Sequence, residues 1–163
     1  MRESTATPMS FASLEVGQDL GHSPWIVADQ AMISDFAAAT RDPDPMHIDP
    51  AFAAEKGPYG GTIAFGFLTV SLLTHMLHGV FGSDPQRDAS ADGHFLNYGM
   101  DYLRLLVPVK VDSRIRGHFA VKEKRTDDKG RNLVKFACFV EIDGEERPAL
   151  VAEWLAMWMP TSP

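Results

Sequence analysis

The chain has one cysteine, Cys138, so it cannot close an internal disulfide, and because that residue lies in an alternating apolar run a buried structural thiol is expected. No uninterrupted apolar stretch approaches the roughly 20 residues that a membrane-spanning helix needs. Residues 1–10 have neither the basic start nor the apolar centre of a signal peptide, so no membrane association and a cytoplasmic location are expected. Positive charge is scarce: 15 Lys and Arg stand against 22 Asp and Glu, for a net charge of −7. That balance removes long-range attraction for nucleic acid, and no interleaving of basic and aromatic residues offers bases a stacking surface. It leaves open a small polyanion, whose phosphates a few local Lys or Arg side chains can hold. There is no internal repeat, no low-complexity segment and no Gly-x-Ser-x-Gly elbow. Gly60-Gly61 is not followed by the Gly-Lys-Thr of a phosphate loop.

What is present fits one domain over residues 1–163, long enough to bury a sizeable core. Its organising stretch runs from Arg41 through Asp42-Pro43-Asp44-Pro45-Met46-His47-Ile48-Asp49-Pro50 and on to Tyr59-Gly60-Gly61-Thr62-Ile63-Ala64-Phe65-Gly66-Phe67. Three prolines in the eight residues from Pro43 to Pro50 are incompatible with a helix interior or a central strand, which predicts a stiff loop. Asp42 and His47, five apart on that loop, are a carboxylate and an imidazole able to converge on one water and move its proton. The plainer reading of the same spacing is a turn cap and a satisfied structural histidine. Asp44 and Asp49 are expected to be turn and cap residues.

Around the loop, Phe11, Leu14 and Val16 suggest a lead-in strand and Trp25-Ile26-Val27 a second. Asp29 is a plausible cap for a helix whose Met32, Ile33, Phe36, Ala37 and Thr40 recur at helical spacing. Asp49-Pro50 starts a short helix that Gly57-Pro58 ends. From Phe65 to Val80 apolar residues cover nearly every face, which predicts one helix buried all round. Gly82 to Gly93 reads as a polar surface loop. Thereafter the period is two: Tyr98 to Val107, Val111 to Lys122 and Val134 to Ile142 are expected strands, with Leu150 to Met159 a fourth, apolar on both faces. Four long antiparallel strands covering a helix apolar on every side imply an α+β hotdog fold, a curved sheet wrapped round a central helix. The unpaired sheet edge points to a homodimer.

A metal reading of Asp42, Asp44, His47 and Asp49 fails on spacing. A calcium loop needs glycine sixth and a bidentate acid twelfth, where His47 and Ala53 stand. Zinc needs two or three His or Cys ligands, and His75 and His78 have no matching acid. No metal and no cofactor are expected.

Residues 39–50, Ala-Thr-Arg-Asp-Pro-Asp-Pro-Met-His-Ile-Asp-Pro, resemble the Gly-Asp-x-Asn/Gln-x-x-His-x-Asp motif of the MaoC-like dehydratases, the family of the (R)-specific enoyl-CoA hydratases. Pro58 to Leu68 is similar to that family's glycine turn and Ala-His-Gly helix start, above all in its NodN-like branch. Leu96-Asn97-Tyr98-Gly99, Ile115-Arg116-Gly117 and Val151-Ala152-Glu153 extend the likeness from Trp25 to Trp154. The resemblance implies a dimeric hydro-lyase of fatty acid metabolism. It would add water syn to a trans-2-enoyl thioester, carried by coenzyme A or acyl carrier protein, to give an (R)-3-hydroxyacyl thioester. It makes Asp42 and His47 catalytic and implies substrate contacts at Gly61, Phe65, Gly66, Asn97 and Tyr98. In that pattern Gly66 and the start of its helix polarise the thioester carbonyl. Arg41, Asp44 and Phe65 depart from the usual Gly, Asn/Gln and His. Arg41 is placed to pair with Asp42, and Phe65 points to a different acyl chain. The competing readings are a hotdog thioesterase and a non-catalytic acyl-binding subunit.

Overall fold

The structure is a computed structural model that describes residues 11–82 and 93–160. Two short strands, β1 (Asp19–His22) and β2 (Ile26–Ala28), precede the helices. Four long ones follow: β3 (Gly93–Leu105), β4 (Ser113–Thr126), β5 (Asn132–Ile142) and β6 (Leu150–Pro160). All pair antiparallel in one sheet of order β1-β4-β5-β6-β3, with β2 also on β4. The period of two is the cause of that sheet. Ile115, Phe119 and Val121 on β4, Val134, Phe136, Cys138 and Val140 on β5, and Leu150, Ala152, Trp154 and Ala156 on β6 all point into one core. On β6 the residues between them are half-buried, so that strand is buried on one face and not on both. Burial pushes the Cys138 thiol up to about 12, consistent with an inert core residue.

Among the described residues, five helical segments lie between β2 and β3: α1 (Gln30–Thr40), α2 (Pro45–Ile48), α3 (Pro50–Lys56), α4 (Gly66–Ser71) and α5 (Leu73–Val80). Leu68, Leu73, Met76 and Leu77 from the last two are buried with Phe119, Phe136 and Trp154 of the sheet. Gly117 on β4 permits the close approach, since a Cβ there would stand 3.1 Å from the Cβ of Met76. The arrangement is the expected α+β hotdog, an antiparallel sheet curved round a helix.

Four local expectations change. Phe11 to Val16 form no strand; Leu14 is buried in a loop, and the lead-in strand is β1, pinned to β4. Among the described residues the sheet therefore has six strands. The proline loop contains a one-turn helix, α2, with Pro45 at its first position, where the missing N–H would have no partner in any case. The helix from Phe65 to Val80 is divided at Leu72. The Ser71 hydroxyl donates to the Phe67 carbonyl at 2.8 Å and the Thr69 hydroxyl to that of Phe65 at 3.4 Å, back-bonding of the kind that bends helices. The ladder nevertheless continues across the junction through Leu72 N–H to Leu68 and Met76 N–H to Leu72. Nor is the helix buried all round: Phe67, Ser71 and His75, four apart, form an open stripe, with Phe67 68% exposed. The expected polar loop between Gly82 and Gly93 lies outside the described residues. No helix among them is long and apolar enough to cross a membrane.

Burial thus singles out Leu73, 1% exposed, as a hub residue. Leu73→Ala is expected to lower stability by about 2–5 kcal/mol and Leu72→Ala, at the half-buried junction, by less. Guanidinium unfolding of the two variants measures the difference.

Candidate active site

The loop is assembled from caps. The Asp29 carboxylate accepts the Met32 N–H at 2.8 Å and starts α1, which ends at Arg41 in the left-handed region, φ 58°. The Arg41 and Asp42 N–H groups both turn back onto the Ala37 carbonyl. The Asp44 carboxylate accepts the Met46 N–H at 2.8 Å and opens α2, and Asp49 accepts the Phe52 N–H at 2.9 Å and opens α3. Asp44 and Asp49 are the expected cap residues, each worth on the order of 1 kcal/mol. Between them His47 is carried on a turn with no buried residue.

The His47 ring is held on two sides. Its Nδ1 lies 2.7 Å from the Ile63 carbonyl. A carbonyl only accepts, so Nδ1 carries the proton and in the neutral ring Nε2 is the lone-pair nitrogen. One ring face stacks on Phe65, with centroids 3.8 Å apart and planes at 30°. Phe65 is 6% exposed and also meets Phe36 at 5.3 Å. It packs against the histidine, and most of its surface is already used, which leaves little to offer an acyl chain. Asp42 is exposed on the loop. Arg41 does not pair with it: among the described residues no ion pair or hydrogen bond joins them, and both side chains face solvent. Arg41, Pro43 and Ile48 instead line a cavity of about 580 Å³ with Ser34, Ala37 and Ala38, beside the loop that carries Asp42 and His47.

The glycine turn delivers the remaining neighbours. Gly60 adopts φ 76°, which a side chain would strain, and Gly61 follows with open space at its Cβ position. Gly66 is the first residue of α4, whose start no side chain caps. A Cβ on Gly66 would collide with Leu105 of β3, so the helix start sits close against the end of that strand. Gly61 precedes Thr62 and Ile63, and Phe65 with its neighbour Gly66 thus stands beside His47. Asn97 and Tyr98 do not. They stand eight and seven residues before Leu105 along β3, at roughly 3.3 Å per residue about 26 and 23 Å away. Tyr98 meets Arg131, whose guanidinium lies 5.2 Å from its ring. Among the described residues no three His, Cys, Asp or Glu side chains are grouped to hold a metal.

Two side chains at this site carry no sequence signal. Gln30 donates through Nε2 to the His47 carbonyl at 2.8 Å, and the Thr62 hydroxyl donates to Gln30 Oε1 at 2.6 Å. They are 17 and 32 residues from their partners, and no local period or motif marks them.

Residues 11–137 match the family described as MaoC like domain. The chain is 43% identical over 142 residues to Nodulation protein N of Rhizobium leguminosarum bv. viciae, covering 87% of this chain and 85% of that one. It is 33% identical to 3-hydroxyacyl-thioester dehydratase Z of Mycobacterium tuberculosis, over 88% of this chain and 90% of that one. Its structure is similar to that of the (R)-hydratase from A. caviae involved in PHA biosynthesis, with TM-score 0.69, 25% identity, and coverage of 88% and 96%. The fold and these likenesses together define a hotdog protein of the MaoC-like hydratase and dehydratase class. The chain belongs to the MaoC-like domain family.

Because Phe65 is buried against both Phe36 and His47, Phe65→Ala is expected to cost about 3–5 kcal/mol. Thermal or guanidinium unfolding reads that loss; a value below 1 kcal/mol would show that the ring carries little of the packing at this site.

Proposed function

We propose that this chain adds water syn to a trans-2-enoyl thioester to give an (R)-3-hydroxyacyl thioester, and runs the reverse dehydration, with Asp42 and His47 as its acid-base pair. The observation that carries the reading is the hydrogen bond from His47 Nδ1 to the Ile63 carbonyl, which leaves Nε2 as the base. In this mechanism one water lies between Nε2 and the Asp42 carboxylate. Nε2 takes a proton from the water as its oxygen bonds to the β-carbon, and Asp42 accepts a hydrogen bond from the O–H that remains and so orients the water. The enoyl π electrons move toward the thioester oxygen. The imidazolium then returns its proton to the α-carbon on the face from which the oxygen arrived, so the addition is syn and the histidine is restored. The Gly66 N–H, uncapped at the start of α4, is the donor placed for the carbonyl oxygen, where charge accumulates.

The (R)-hydratase and the 3-hydroxyacyl-thioester dehydratase among the relatives support this reaction class. A thioesterase reading has no comparable support: it needs a carboxylate to direct water at the carbonyl carbon, and here the histidine is positioned with its own base nitrogen open.

The reading includes a homodimer. Among the described residues β3 pairs with no strand but β6, so beyond Gly93 its outer edge is open to a further strand. Leu96, Tyr98, Tyr102 and Leu105 along it are 42–48% exposed, and Phe67 beside its end 68%. A second copy laid along that edge would cover them. It would also give Asn97 and Tyr98 a route to substrate that they lack within one protomer.

Hydration of crotonyl-CoA, followed as loss of enoyl-thioester absorbance without release of thiol, tests the reaction. His47→Ala and Asp42→Asn should each lower kcat by roughly 10²- to 10⁴-fold with the fold intact. Near-normal turnover in a folded His47→Ala protein refutes the assignment, and free thiol in its place would establish a thioesterase.

A further inference from the structure

The histidine sits on a turn that cannot hold itself. α2 is four residues long, buries none of them, and is far below the length at which a helix persists alone. Its last carbonyls must therefore be satisfied from outside the turn. The Pro45 carbonyl makes the turn's own bond to its C-cap, the Asp49 N–H, at 3.0 Å, while that of Met46 takes the Ile63 N–H from outside at 3.4 Å. The His47 carbonyl takes Gln30 Nε2 at 2.8 Å, the shortest of the three.

The direction of each bond follows from what its partner can do. The His47 carbonyl only accepts, so the Gln30 amide must turn its nitrogen there and its oxygen toward Thr62. The Thr62 hydroxyl then has to donate, at 2.6 Å. Thr62 is 1% exposed, and its carbonyl accepts the Val111 N–H at 2.9 Å while the neighbouring Ala64 N–H reaches Val109 at 2.7 Å. A chain of bonds thus runs from residues 109–111 through Thr62 and Gln30 to the backbone of His47. A second runs from Ile63 to the ring. Adjacent residues, 62 and 63, fix the backbone and the imidazole of the same histidine.

From this geometry we infer that Gln30 and Thr62 are positioning residues for His47. They touch no reacting atom; they set where Nε2 stands. The inference rests on the reaction proposed above for His47, and it adds that precision at Nε2 comes from a side-chain relay whose members lie 17 residues before the histidine and, a further 32 along from Gln30, on the strip beyond it. A shift of about 1 Å at a catalytic group can cost on the order of 10²-fold in rate, so the relay should show in kcat.

Four variants of the full chain test this. Gln30→Glu keeps the length but turns acceptor oxygens on the His47 carbonyl. Thr62→Val keeps the volume and removes the donor. Gln30→Asn is one methylene too short, and Thr62→Ser retains the hydroxyl. With crotonyl-CoA, the first three should lose about 10- to 100-fold in kcat, with KM changed by less than about threefold, whereas Thr62→Ser stays near the parent. In ¹⁵N-detected spectra of the imidazole, the ligand-free parent should show one Nδ1–H form of His47, and Thr62→Val and Gln30→Glu a mixture. Unchanged kcat and unchanged ring signals in folded Gln30→Glu and Thr62→Val proteins overturn the inference, as does equal loss in Thr62→Ser and Thr62→Val. If Gln30→Glu fails to fold, the Ser/Val pair at position 62 decides. If the parent hydrates no enoyl thioester while the ring signals respond as expected, the reaction reading fails and the positioning role stands. If the parent is active and His47→Ala is dead but the relay variants match the parent, only the relay is wrong.

Discussion

Everything at this site depends on a narrow strip of main chain, residues 62–64, hydrogen-bonded to residues 109–111 through Val111 N–H to Thr62 and Ala64 N–H to Val109. The strip is short, with Ile63 bridged to Lys110 outside the named strands. Yet it ties the loop side of the molecule directly to the segment leading into β4. Proline removes backbone donors from the 41–50 loop, and most of that loop's side chains face solvent. Such a loop has neither a ladder nor a core to define it. Its coordinates come from what the strip offers: the Ile63 carbonyl for the ring, the Ile63 N–H for Met46, and the Thr62 hydroxyl through Gln30. The buried sheet supplies the rigidity, and the strip carries it to the histidine.

That division explains which parts of the fold were legible. The strands of β4 and β5 could be read from alternation because one face of the sheet is buried and the other is not, a difference every residue registers. β1 could not, since four residues that include Gly21 carry no period, and the strand exists because β4 accepts it. The helix from Phe65 onward was read as buried on all sides because composition reports apolar surface without saying what covers it. Phe67 is apolar and 68% exposed within one chain. The break at Leu72 was hidden for another reason: Ser71 and Thr69 are tolerated in a helix, and only their rotamers decide whether they bond back to the preceding turn.

The site was legible where chemistry is local and illegible where it is relayed. Asp44 and Asp49 act two and three residues away, as caps do, and could be read from spacing. Asp42 and His47 stood out as titratable groups on a stiffened loop. Gln30 and Thr62 did not, because an uncharged glutamine at the start of a helix and a threonine after two glycines are ordinary residues in either place. Asn97 and Tyr98 illustrate the opposite limit: a resemblance marks them for the substrate, while the single protomer keeps them far along β3 from Gly66.

The departures from the family pattern are physically coherent with this scheme. At Arg41 the backbone holds φ 58°, a conformation that costs a side chain about 1–2 kcal/mol and that glycine adopts freely. The geometry of the α1 end is thus retained although the residue suited to it is not, and the Arg41 and Asp42 N–H groups still reach Ala37. At Phe65 the exchange of an imidazole for a phenyl ring removes a potential hydrogen-bonding neighbour of His47 and substitutes a stacked apolar face. The ring cannot compete for either imidazole nitrogen. Nδ1 is therefore left to the Ile63 carbonyl and Nε2 stays the lone-pair nitrogen of the neutral ring, so the residue that departs most from the pattern favours the tautomer that the acid-base role proposed for His47 requires.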